Sequence, residues 1–142
     1  MQLPAFFWTS AVAALFSALS LKFLHIFHFV PWSPIGWTDR FVFLTNQASA
    51  VKWIVFIVLL FTLHAVLYGL FSAASALPPS VTAIVTTLVV VCAVEWIVTP
   101  PESMKSAFRG VSIPLLSLAA IIMRFVSGTA VFMKTEVKGK AK

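Results

Sequence analysis

Glu95 is the only acidic residue inside an apolar run of this chain, in the stretch LVVVCAVEWIVTPPE from Leu88 to Glu102. A carboxylate set in hydrocarbon needs a partner or a proton, because a charge there costs ~2.5–3.5 kcal/mol even on insertion scales. The other ionisable residues in apolar surroundings are Lys22, His25, His28, His64 and Arg124. From these residues one could build an ion pair, a path for protons or cations, or a histidine metal site.

The ion pair rests on depth. Glu95 lies four residues before Thr99, and Lys22 eight before Val30, in runs whose ends face one side if the spans alternate. At 1.5 Å per residue the two sit ~6 and ~12 Å below the same surface, a gap that a lysine stem can close. A buried Lys22–Glu95 pair is therefore expected, with Arg109 as the nearest competitor. Its plain reading is structural; its sharper reading is a proton or cation site. Arg124 and His64 lie nearer mid-depth, and His64 shares a helical face with Tyr68, Phe71 and Ser75. A polar pathway through His64, Tyr68 and Arg124 is the functional alternative, since ionisable residues within membranes mark such routes. Ser117, Ala120, Ser127 and Gly128 accompany Arg124 as a small, polar stripe that could equally be a packing face.

The other chemistries find less support. His25 and His28 can share a face, but His64 lies deeper by more than two turns and no carboxylate completes a ligand set. No metal and no cofactor is expected. There is no Gly-x-Ser-x-Gly turn and no His–acid pair at one depth, so the sequence predicts a protein that is not an enzyme.

The elements that must position these residues are membrane spans. Of 142 residues, 61% are hydrophobic and 10% charged, against ~25% charged in soluble domains, and the mean hydropathy is +1.03. The net charge of +6 is scattered over both loop sides, which suits anionic headgroups and leaves no basic face for nucleic acid. The lone Cys92 excludes an internal disulfide. Apolar runs cover residues 5–30, 51–77, 80–99 and 109–133, each long enough to cross ~30 Å of hydrocarbon. The opening Met1-Gln2-Leu3-Pro4 has no Lys or Arg, so the first run reads as a retained helix.

Ser10, Ala14, Ala18 and Lys22 recur at every fourth position, which predicts a small-residue stripe carrying Lys22 into the bundle. Trp32 and Trp37 suit headgroup depth in the long loop, where Thr38 could cap a short helix. The short Leu77-Pro78-Pro79-Ser80 turn predicts that spans two and three are antiparallel neighbours. Pro100-Pro101 ends span three, and the tail 134–142 reads as polar and disordered. The expected fold is all-α, a four-transmembrane-helix up-down bundle in one integral membrane domain.

Phe27-His28-Phe29 before a Pro- and Trp-containing loop, Leu67-Tyr68-Gly69 late in span two, and Trp96 with Pro100 resemble the YqhR-like four-span membrane proteins of Bacillota. The likeness is loose and runs over most of the chain. It implies a bacterial cell membrane and no activity or site residue.

The expected role is an accessory or assembly partner in a bacterial membrane complex, in contact with the lipid bilayer and with a membrane-protein partner or a second copy. The tail offers Lys134, Lys138, Lys140 and Lys142 and the opposite side Arg40, Lys52, Lys105 and Arg109, a nearly even count; the clustering of the tail charges is the reason both termini are expected in the cytoplasm. The alternative is a small transporter or channel using Glu95, Arg124 and His64.

Overall fold

The computed structural model describes residues 2–141, so Met1 and Lys142 lie outside the described residues. Four helices are long and apolar enough to cross a membrane: α1 (Leu3–Ile26), α3 (Ser49–Ala73), α4 (Pro79–Val98) and α6 (Ile113–Lys140). The long loop after α1 holds a 3-10 helix, Gly36–Arg40, and the short α2 (Val42–Thr45). Another short helix, α5 (Met104–Arg109), precedes α6. No strand occurs among the described residues, so the expected all-α four-span architecture is the observed one. Gln2 shares a cavity lining with Lys134 and Lys138, which puts the two ends of the chain together at one end of the bundle.

Local chemistry sets most boundaries. Prolines sit in the first turn of α1, α4 and α6, where their missing N–H costs no helix bond. The first helix ends at Ile26, four residues short of the predicted boundary, because His28 takes the left-handed conformation with φ 59°. The Phe29 N–H then reaches the Leu24 carbonyl at 2.9 Å, and the His28 N–H the His25 carbonyl at 3.2 Å. Those two bonds form a Schellman stop, a position that favours glycine. His28→Gly is expected to raise stability by up to ~1 kcal/mol, and His28→Val to lower it by ~1–2 kcal/mol. The thermal unfolding midpoint in detergent measures both.

Two expectations about the ends change. The predicted fourth span began near residue 109, but Arg109 belongs to α5, and Ser112 starts α6 as its N-cap, accepting from the Leu115 N–H. The predicted disordered tail is helical as far as Lys140, with Lys140 beside Glu136 at 3.9 Å. No proline interrupts that segment, and charged pairs at i,i+4 support a helix that outruns the apolar zone.

Packing places α6 at the centre. It lies against α1, α3 and α4, while α1 also packs along α3. The predicted neighbours α3 and α4 share a core near their turn, where Leu67, Tyr68 and Phe71 meet Ala83, but have no extensive interface. The reason is that α4 uses its inward face on α6: Ser127 donates to the Pro79 carbonyl at 2.8 Å, and Val91 packs with Leu115. Small residues allow the close approach of α1, where Ser10, Ala13, Ala14, Ser17 and Ala18 are all buried. Outward faces carry large apolar side chains such as Leu19, Val58, Val89 and Phe125.

Candidate functional site

The charged residues do not assemble at one place. Glu95, 6% exposed, projects from the last turns of α4 to the start of α6, where its Oε1 accepts from the Ser112 N–H at 3.4 Å. Ser112 is a junction: its hydroxyl donates to the Phe29 carbonyl at 3.1 Å and also caps α6. Unpaired N–H groups and the helix dipole make that terminus a natural seat for an acidic group.

Lys22 is not its partner, contrary to the expected buried pair. Its ammonium lies 5.3 Å over the Trp53 ring of α3, the residue is exposed, and no ion pair joins it to Glu95 among the described residues. Two physical reasons apply. A step of four residues turns a helix by roughly 400°, so three steps from Ser10 carry Lys22 roughly 120° away from the buried stripe. In addition, α1 has no extensive interface with α4. Spacing along the chain did not give the direction in which Lys22 leaves its helix.

His64 is 2% exposed, and its Nδ1 lies 2.7 Å from the Leu60 carbonyl. A carbonyl can only accept, so Nδ1 carries a proton, and Nε2 of a singly protonated ring accepts from the Ser17 hydroxyl at 3.3 Å. This bond fastens α3 to α1. Tyr68 is buried four residues on, edge-on to Phe6 with ring centres 5.5 Å apart. His64, Tyr68 and Phe71 of the expected face therefore point inward.

Arg124 does not join them. It is exposed, between the inward-facing Met123 and Val126 of α6. Its guanidinium folds back over Gly128: a Cβ there would lie 2.7 Å from Nη1. No acidic side chain pairs with it among the described residues. The polar pathway of His64, Tyr68 and Arg124 is thus divided between the interior and the lipid-facing surface. The cavity beside His64 is small, about 100 Å³, and its other walls include Leu24, Leu63, Val91 and Met123. No three His, Cys, Asp or Glu side chains gather in a ligand set among the described residues.

Sequence reasoning missed Ser112, and it placed Gly128 in the stripe beside Arg124 without showing that the guanidinium lies over it. Ser112 before Ile113-Pro114 is a helix-start signal that the surrounding apolar run concealed. Gly128 stands one helical step of four beyond Arg124, the spacing at which a long side chain can lie over its neighbour.

Four apolar spans around a core tied by few polar contacts define an integral, multi-pass membrane protein. No family model, no curated protein and no solved structure matches the chain.

Proposed function

We propose that the chain is a non-enzymatic accessory subunit of a bacterial membrane complex, with the α6 face around Arg124 as the seat for a partner helix. The observation that carries this reading is the exposed, unpaired arginine near mid-span. Arg124 lies 11 residues from Ile113 and 9 from Met133, so ~17 Å and ~14 Å from the two limits of the apolar zone. Folding over Gly128 moves the guanidinium ~6 Å toward the tail and still leaves it well below the headgroups.

An arginine there is costly in lipid and is relieved by an acidic group from a neighbour. A second copy offers none at that depth: Asp39 and Glu102 lie in the segments between spans, Glu136 beyond the apolar part of α6, and Glu95 is buried against the start of α6. The partner is therefore a different membrane protein, with an Asp or Glu in a spanning helix. An apolar groove of about 260 Å³ between α1 and α6, lined by Val12, Phe16, Ile121 and Phe125, runs beside the arginine and suits that helix.

The transporter alternative has less support, because a conduction path needs Glu95, His64 and Arg124 along one wet cavity. Loose resemblance to YqhR-like proteins is compatible with a bacterial envelope and adds no residue role. The lysine-rich tail favours cytoplasmic termini. Single cysteines at Ser49 and Ala141 are expected to label from opposite sides, Ala141 from the cytoplasm; labelling of both from one side would refute the topology.

Crosslinking of a tagged chain in native membranes, followed by affinity isolation, is expected to yield one stoichiometric membrane partner. Gradient-driven flux by the purified chain in proteoliposomes, lost in Glu95→Gln with folding intact, would replace this reading with the transporter.

A further inference from the structure

Because α3 and α4 diverge from their turn, a crevice opens between them at the loop end of the bundle. Its volume is about 460 Å³, within the ~300–1,000 Å³ of ordinary ligand pockets. Phe56 and Leu60 form one wall and Val94 and Ile97 the other, with Leu21 of α1 behind. Leu21, Leu60 and Val94 also line the smaller cavity that reaches His64, so the apolar space continues toward mid-depth. Along α3 the lining runs from Phe56 to His64, eight residues of helix, or ~12 Å, room for the upper part of one acyl chain.

The rim is different in kind. Trp32, Trp37 and Arg40 line it. Arg40 is exposed and has no acidic partner among the described residues, since the adjacent Asp39 is held by Lys52 at 2.6 Å. Trp32 Nε1 is buried with no hydrogen-bond partner. A buried indole N–H without an acceptor is uncommon and calls for one. An unpaired cation at the mouth of an apolar crevice, flanked by two indole rings, matches an anionic headgroup attached to a hydrocarbon tail.

We propose that this crevice is a lipid site, which holds one acyl chain of an anionic phospholipid and receives its phosphate at Arg40. The walls contact the chain without selecting it, whereas the rim selects a net negative headgroup. The site lies on the α3–α4 side of the bundle and does not depend on the partner proposed for Arg124.

Native mass spectrometry of the purified chain, titrated with phosphatidylglycerol or phosphatidylcholine, tests the assignment. One phosphatidylglycerol is expected to be retained per chain, in preference to phosphatidylcholine. Arg40→Gln, an exposed change compatible with folding, is expected to weaken phosphatidylglycerol about 5-fold and leave phosphatidylcholine unchanged. Val94→Trp fills the crevice and is expected to reduce both lipids. If that variant fails to fold, the Arg40→Gln comparison alone decides. Equal retention of the two lipids by the unaltered chain, or an unchanged preference in Arg40→Gln, would overturn the site. Competition by soluble glycerol 1-phosphate as strong as that by the lipid would overturn the acyl-chain assignment.

Discussion

Arg124→Leu is expected to stabilise the isolated chain and to release the proposed partner, two effects of opposite sign from one substitution. Arginine at the centre of a spanning helix costs ~2.5–3.5 kcal/mol on insertion scales and leucine gains ~0.3–0.6, so the exchange favours the lone protein by up to ~4 kcal/mol. Folding of the guanidinium over Gly128 reduces that gain, since a snorkelling side chain has already regained part of its hydration. In the proposed complex the same change would strand the partner's carboxylate. Removing one member of a buried charged pair costs ~2–5 kcal/mol, which corresponds to roughly 30- to 5,000-fold in affinity. Arg124→Lys keeps the charge but not the planar fork and should fall between. Thermal midpoints in lipid nanodiscs and the yield of co-isolated partner measure the two effects separately. A leucine variant that brings down the same proteins in the same amount would remove Arg124 from any interface.

The contrast between Arg124 and His64 shows how far a sequence of this type can be read. Pro78-Pro79 and Pro100-Pro101 bracket α4, and the span predicted at 80–99 agrees with the observed Pro79–Val98 to within a residue. Proline acts locally, so its message survives without tertiary knowledge. The inward direction of His64 and Tyr68 was legible as well, because the two stand one helical step apart on a face otherwise poor in polar groups. Arg124 carried no such sign. Small residues flank it on both sides of the helix, and only packing shows that Ser127 turns inward to the Pro79 carbonyl while Arg124 turns out. In a membrane the hydrophobic pattern that orients soluble helices is absent, since lipid-facing and core-facing side chains are both apolar. Azimuth and neighbour choice are lost together, which is why the short α3–α4 turn suggested an interface that α6 takes instead. The rim of the crevice was half legible: Trp32 and Trp37 marked headgroup depth, but nothing in the chain order pointed to α3 and α4 as its walls.

Glu95 gives the second large effect. Its substitution is expected to damage the start of α6 and to be indifferent to Lys22. Glu95→Leu removes the acceptor facing the Ser112 N–H and leaves that donor half-buried, a loss of ~1–3 kcal/mol. The favourable placement of an acidic group at a helix N-terminus adds ~0.3–1 kcal/mol to the loss. The 3.4 Å separation is long for a hydrogen bond, which places the combined cost toward the low end of that sum. Glu95→Gln keeps an oxygen in position and should lose only the electrostatic part. Lys22→Met gives up a cation–π contact with Trp53 worth ~0.5–1 kcal/mol at an exposed site. The two residues share no partner, so the double variant Lys22→Met with Glu95→Gln should equal the sum of the single losses to within ~0.3–0.5 kcal/mol. A true buried pair behaves otherwise, because the second substitution then relieves the charge stranded by the first. Unfolding midpoints of the four proteins in one detergent provide the comparison, and a double variant more stable than either single one would restore the ion pair and remove Ser112 as the residue that holds Glu95.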